Sequence, residues 1–245
     1  LLRGTARFVD DIHLSGLLQA AFVRSPHPHA LIKSIDTVAA RAVPGVTAVY
    51  TLADFSPHIL ADRLPLQFPS KDFGPDVTPY LLAGDEVCHV GEVIAMVIAE
   101  TRYVAEDAAL LVEVDYDPLP SVAGCAAAFA DDAPLVHRDT DDNVLVRFQQ
   151  SYGDADAVFA AAPHVFGDRF VQRRGAAHPI EGRGAVARYD ALDDAITLWS
   201  STQMSHEVRS TMVRLFGMDE GQVRVVAPDV GGGFGSKYIA YSEEI

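Results

Sequence analysis

The residues with the most chemical potential in this sequence lie near its end, in Val230-Gly-Gly-Gly-Phe-Gly-Ser-Lys237. Adjacent glycines bare the backbone and permit positive φ, so successive N–H groups can turn toward one ligand. Phe234 places a single large ring in that bare stretch. Clustered glycine is entropically costly and packs poorly, which favours a ligand-facing loop over a plain turn. The spacing fits neither of two familiar phosphate-binding patterns. A Walker loop requires Gly-Lys followed by Ser or Thr, whereas Ser236 precedes Lys237 and Tyr238 follows it. A dinucleotide fingerprint begun at Gly231 or Gly232 requires glycine at 236 or 237, where Ser236 and Lys237 stand.

A second stretch with chemistry in it is Ser200-Ser201-Thr202-Gln203, at a predicted strand-to-helix corner. Unpaired backbone donors and the positive end of a helix dipole would meet there, and Gln203 could hydrogen-bond an oxo group or a phosphate oxygen. Ordinary helix capping by Ser201 or Thr202 accounts for the same residues. His27 and His29 sit in a proline-rich segment with no carboxylate or thiol beside them, and are expected to be exposed loop histidines. His178, Glu181 and Arg183 combine a base, an acid and a cation, which strand-edge ion pairing explains equally well. Cys88 and Cys125 match no metal-ligand spacing and exclude a disulfide framework. Met204 and Met212 read as core residues.

The elements that must position these residues follow from periodicity and punctuation. Strands are predicted at Leu17–Arg24, Ile32–Ile35, Val46–Thr51, Val87–Ala99 and Val112–Tyr116. Asp36 is a candidate cap for a helix over Thr37–Val43. Thr101 is a candidate cap for a helix with Val104, Ala108 and Leu111 on one face. The proline-rich stretch 56–85 reads as a long surface excursion. A helix over Asp154–Ala162 is followed by predicted strands at Val165–Arg173, Gly184–Tyr189 and Ala195–Ser200. A helix striped with Met204, Val208, Met212 and Leu215 stops at Gly217, and Gln222–Ala227 is a last strand. Strand–helix–strand order makes residues up to about 125 an α+β unit. The Ala- and Asp-rich segment 126–150 is the best linker.

Composition bounds the partners. The 245 residues are 49% hydrophobic, enough for one large or two small cores. A net charge of −15 and a pI near 4.8 argue against nucleic acid and anionic membranes. No apolar run approaches the ~20 residues needed to span a bilayer, and the acidic composition fits a cytoplasmic protein. The absence of Met at the start, and the end just after Glu243-Glu244, suggest a piece of something longer.

Beyond these physical patterns, the chain resembles the N-terminal part of the large, molybdenum-binding subunit of the xanthine oxidase, aldehyde oxidase and carbon-monoxide dehydrogenase family of molybdenum hydroxylases. The resemblance is carried by Arg3-Gly4 with Phe8-Val-Asp-Asp-Ile12, Phe22-Val-Arg-Ser-Pro-His27 with His29-Ala30, and Pro44-Gly-Val-Thr-Ala-Val49. Val90-Gly91-Glu92, Ala105-Glu-Asp-Ala108, Val112-Glu-Val-Asp-Tyr116 with Pro118-Leu-Pro120, Ser201-Thr-Gln203 and Val223–Gly235 with Lys237 continue it. Each piece is weak alone; their joint order makes the match.

The resemblance implies an α+β fold, with a hammerhead domain over 1–125, a linker over 126–150 and the first part of a molybdenum-cofactor domain over 151–245. It implies molybdenum on molybdopterin, in the cytosine dinucleotide form usual in bacterial relatives. It also implies hydroxylation of an aldehyde, an N-heterocycle or a related small molecule with water as oxygen donor. Electrons would leave through iron–sulfur clusters and FAD on partner subunits, a small and a medium one, in a dimer of heterotrimers. Gln203 matches the family glutamine that hydrogen-bonds an oxygen ligand of molybdenum. Gly232, Gly233, Phe234 and Gly235 match the loop beside metal and pterin, and Phe234 and Tyr238 would face the substrate. Tyr238 departs from the glutamate that contacts purine in xanthine oxidases, which makes a purine substrate doubtful. The competing expectations are an interaction fragment whose loop holds no cofactor, and a nucleotide-binding module using Lys237 for phosphate.

Overall fold

The computed structural model describes residues 3–66, 77–172 and 175–245. Two three-stranded antiparallel sheets build the first half. The strands are β1 (Gln19–Arg24), β2 (Ala30–Asp36), β3 (Val46–Thr51), β4 (Glu86–Val87), β5 (Val93–Ala99) and β6 (Glu113–Pro118). One sheet has the order β1-β5-β3 and the other β4-β2-β6. β5 is central, and its Val93-Ile-Ala-Met-Val-Ile-Ala run is buried at five of seven positions, as an apolar strand covered on both faces must be. The predicted strand over Val87–Ala99 is split between β4 and β5. Gly91 adopts φ +89°, and the Glu92 carboxylate accepts the Cys88 N–H at 2.6 Å, which turns the chain between the two.

Helices α1 (Val38–Arg41), α2 (Leu52–Phe55) and α3 (Arg102–Ala109) complete this half. The Asp36 carboxylate accepts the Val38 N–H at 2.8 Å, and α1 ends well before Val43, the predicted stop. Thr101 caps α3 as expected, its hydroxyl accepting the Val104 N–H at 3.2 Å. The buried face of α3 is Ala105 and Ala108, however. Leu111 lies past the last turn and is largely exposed.

The stretch 56–85 is more than a surface excursion. Its middle, 67–76, lies outside the described residues, but Leu64 and Leu81 are buried together with Leu215 from the second half. The Leu60 N–H donates to the Leu215 carbonyl at 2.7 Å. Prolines break periodicity there without removing the apolar side chains that form a core. His29 is another departure. It is buried, with Nδ1 2.9 Å from the Pro120 carbonyl and Nε2 2.8 Å from the Glu86 carboxylate, which Arg138 also reaches at 3.1 Å. Its acid partner lies 57 residues away and was invisible as a neighbour.

The segment after β6 carries α4 (Cys125–Ala128) and is closed by Asn143. That side chain accepts the Val136 N–H at 2.9 Å and donates to the Ala128 and Pro134 carbonyls at 3.2 and 3.0 Å. Neither cysteine is suited to nucleophilic work by its surroundings. Burial, with the Glu92 and Glu86 carboxylates, pushes the Cys88 thiol up to about 12, and Cys125 is exposed with no basic partner recorded.

In the second half, α5 (Ala155–Ala161) starts at Asp154, whose carboxylate accepts the Ala157 N–H at 2.9 Å. Residues 164–172 do not form the predicted strand. Val165, Phe166, Phe170 and Val171 are exposed, and no sheet edge among the described residues pairs with that segment. β7 (Ala185–Asp190) pairs antiparallel with β8 (Ala195–Ser200), and β8 pairs parallel with β9 (Val223–Val226). The connection from β8 to β9 is α6 (Ser205–Phe216), whose Val208, Met212 and Leu215 are buried. Gly217 ends it in the left-handed conformation at φ +66°, the stop read from sequence.

Candidate functional site

Parallel pairing of β8 and β9 determines where chemistry can sit. The register Trp199↔Val226 puts the carboxyl ends of both strands at one edge of the sheet. The chain leaving β8 is Ser201-Thr202-Gln203-Met204 and the chain leaving β9 leads to Gly231–Lys237, so the two candidate stretches emerge side by side. The crevice beyond strand carboxyl ends is the usual ligand position in such sheets.

The contact between them is direct. The Gln203 N–H donates to the Lys237 carbonyl at 2.9 Å. Its side-chain Oε1 accepts from the N–H of Gly235 at 3.1 Å and from the N–H of Lys237 at 3.3 Å. Two backbone donors on one oxygen fix which way the amide faces. Nε2 is therefore a donor, and no described residue accepts from it. The N–H groups of Gly232, Gly233 and Phe234 likewise have no partner among the described residues.

The glycines serve different purposes. Gly232 and Gly235 have φ of +100° and +88°, conformations that favour glycine. Gly233 has no positive φ. Its need is space, because a Cβ there would lie 2.4 Å from both Cδ and Oε1 of Gln203. Gly231 is similar, since its Cβ would lie 2.5 Å from the Glu181 Cβ. Phe234 is the exception in the run, with φ +50° and 77% of its surface exposed. A non-glycine residue in that region costs about 1–3 kcal/mol, a strain concentrated at working sites. Tyr238 follows the loop, its N–H bonded to the Gly235 carbonyl at 3.3 Å.

Neither Ser201 nor Thr202 caps α6. The N-cap position is Met204, without a side-chain cap. Ser201 is buried and accepts the Gly184 N–H at 3.0 Å, while Thr202 accepts the Met204 N–H at 3.0 Å and donates to the Lys237 carbonyl at 3.3 Å. The corner is thus stitched to β7 and to the glycine loop.

Two residues set aside in the sequence prove central to this geometry. Lys237 is fully buried, and its ammonium lies 2.8 Å from Oε2 of Glu181. The same oxygen accepts the Gly231 N–H at 2.7 Å, and the Glu181 N–H donates to the Gly231 carbonyl at 3.3 Å. A lysine so committed is not available to a phosphate, which counts against the nucleotide-binding expectation. Arg183 does make an ion pair, with Glu243 at 3.3 Å, but Glu181 faces the loop instead of a strand edge. The 56-residue separation of Glu181 from Lys237 hid the contact. A lysine two residues past the last glycine of the run was the hint the sequence offered.

The nearby cavity, about 540 Å³, is separate from these groups. It lies at the seam of the two halves, between Leu64, Tyr80 and Val93 on one side and Arg183, Tyr241 and Glu243 on the other. Gln203 and Phe234 are not among its walls. The donor set itself suits an uncharged cradle for oxygen-rich anions: backbone N–H groups and one amide, with the buried Lys237 ammonium already paired to Glu181.

The chain is similar to known proteins over nearly all of its length. Residues 3–120 match the family described as aldehyde oxidase and xanthine dehydrogenase, a/b hammerhead domain, and residues 136–245 match the molybdopterin cofactor-binding domain. The chain is 39% identical, over 100% of its length, to the nicotine 6-hydroxylase large subunit of Paenarthrobacter nicotinovorans. It is 40% identical, over 98% of its length, to the carbon monoxide dehydrogenase large chain of Afipia carboxidovorans. It spans about 30% of the length of each. The crystal structure of quinoline 2-oxidoreductase from Pseudomonas putida 86 superposes with a TM-score of 0.89 at 37% identity, over 99% of this chain and 30% of that one. No helix among the described residues is long and apolar enough to cross a membrane. With both domain matches in order along it, the chain belongs to the xanthine dehydrogenase and carbon monoxide dehydrogenase family of large molybdopterin subunits.

Proposed function

We propose that Gln203 and the loop Gly232–Gly235 hold the oxygen-rich face of a molybdenum–pterin group in an oxidoreductase that hydroxylates a small molecule. The observation that carries this reading is the Gln203 amide. Its oxygen is occupied by the Gly235 and Lys237 N–H groups, which leaves Nε2 pointing out as a donor beside the three free N–H groups of 232–234. Such preorganised neutral donors favour anionic oxygen without a reorganisation cost.

When bound, the molybdenum–pterin group supplies the two-electron oxidation of a carbon centre with oxygen taken from water. The residues of this chain bind and orient. Gln203 would hold the group through its Nε2 donor, and the bare backbone at Gly232 and Gly233 would allow its close approach. Phe234 offers its exposed ring to a flat apolar substrate, with Tyr238 beyond it. The relatives carry the names of nicotine 6-hydroxylase and carbon monoxide dehydrogenase, and a quinoline oxidoreductase is a structural neighbour. Together with Tyr238 in place of a glutamate, this favours an aldehyde or N-heterocycle over a purine.

The cofactor in this reading is the cytosine dinucleotide form, in a cytoplasmic complex with an iron–sulfur small subunit and an FAD-binding medium subunit, paired as a dimer of heterotrimers. Names such as "large subunit" and "large chain" among the relatives support a multisubunit setting. So do the exposed Phe148, Tyr152, Phe159, Phe166 and Phe170, which call for further polypeptide to cover them. The test is elemental and pterin analysis of the intact gene product purified with its partners. Stoichiometric molybdenum and a released pterin cytosine dinucleotide are expected. A well-folded complex with neither would leave the loop as part of an interaction fragment instead.

A further inference from the structure

We propose that Glu181 is the positioning residue of the glycine loop, cinching both of its ends with one carboxylate oxygen and, through Lys237, setting Gln203. Oε2 accepts the Gly231 N–H at 2.7 Å and the Lys237 ammonium at 2.8 Å, so the first and last residues of the loop share one anchor. Lys237 passes that constraint on. Its N–H and carbonyl are both bonded to Gln203, and its carbonyl also accepts from Thr202. A Cβ at 231 would also lie 2.5 Å from the Glu181 Cβ, too close for any side chain there.

Stability alone is a poor reason for this arrangement. Burying an ammonium and a carboxylate costs much of what their attraction returns, and apolar residues of similar size often serve a fold as well or better. Oε1 of Glu181 is buried without a partner among the described residues, a further cost. What the pair supplies is placement. A loop of glycines has little packing of its own to hold it, and a charge-assisted bond at each end restrains it in one shape. This inference rests on the proposed function only in assigning the held shape to cofactor binding.

The test uses the intact gene product with its partners, produced both in a host unable to make the cofactor and in one that makes it. Glu181→Gln keeps an acceptor for the Gly231 N–H but removes the charge opposite Lys237. The double variant Glu181→Gln/Lys237→Met leaves no stranded charge and guards against simple misfolding. In cofactor-free protein, amide exchange at Gly231, Gly235, Ser236, Lys237 and Gln203, whose N–H groups are bonded, is expected to quicken by roughly tenfold or more in the double variant, while α6 and β7–β9 keep their protection. In loaded protein, pterin and molybdenum content are expected to fall. Unchanged protection of the loop, or equal loosening of α6 and β7–β9, would overturn the proposal, the second by making Glu181 a general stability residue. If the wild-type protein itself carries no pterin, the proposed function fails, and the exchange data still decide the clamp.

Discussion

Replacing Gly233 with valine is expected to strip the intact protein of most of its molybdenum and pterin while its sheet and helix framework persists. A Cβ at 233 would fall 2.4 Å from Cδ and Oε1 of Gln203, far inside van der Waals contact. Either the glutamine or the loop must move, and Gln203 is also what holds the N–H groups of Gly235 and Lys237. Overpacking of this kind costs about 1–3 kcal/mol, which corresponds to roughly five- to 150-fold in retention. The sequence offers a different reason for glycine in this run, its tolerance of positive φ. That conformation belongs to Gly232 and Gly235. Metal and pterin content after purification, set beside a far-ultraviolet dichroism spectrum, checks the prediction. Full cofactor content in a normally folded variant would show that the close approach has no bearing on binding.

The second large effect concerns the amide itself. Gln203→Ala should lower turnover by about a hundredfold or more at full molybdenum occupancy, the scale on which removing one preorganised donor acts. Alanine also releases the Gly235 and Lys237 N–H groups, so a companion variant separates the two roles. Gln203→Glu keeps an oxygen acceptor for both backbone donors and replaces the outward N–H with a carboxylate oxygen. If Nε2 is the functional group, both variants lose turnover, and the glutamate form keeps the loop amides protected from exchange. Unchanged turnover in Gln203→Glu would mean that the residue serves the loop alone. Rates should be normalised to bound molybdenum so that lost metal is not counted as lost chemistry.

Much of the framework could be read from local pattern because local pattern determines it. β8, β9 and the buried stripe of α6 follow from periodicity, and Gly217 stops the helix by a conformation glycine adopts freely. The glycine loop stood out for the same reason. Contacts between distant segments were not legible. Glu181 meets Lys237 across 56 residues, and His29 meets Glu86 across 57. Ser201 and Thr202 looked like helix caps because their residue types suit caps, yet tertiary partners at Gly184 and Lys237 claim their hydroxyls. The strand predicted over Val165–Arg173, whose last residue lies outside the described residues, has the Val and Phe content of a strand, but 165–172 find no edge to join among the described residues, and composition alone cannot supply one. Prolines in 56–85 hid the core leucines Leu64, Leu81 and Leu82 for the opposite reason: absence of periodicity says little about burial of single side chains.

The account holds that the bare loop and the Gln203 corner jointly receive one metal–pterin group. Anomalous diffraction at the molybdenum absorption edge, on crystals of the intact complex, tests that most directly. The account predicts an anomalous peak in front of the Gln203 amide and alongside Phe234, with the Gly232 and Gly233 backbone turned toward the same density. A molybdenum peak elsewhere in the molecule, with the Gln203 amide facing only solvent, would contradict it.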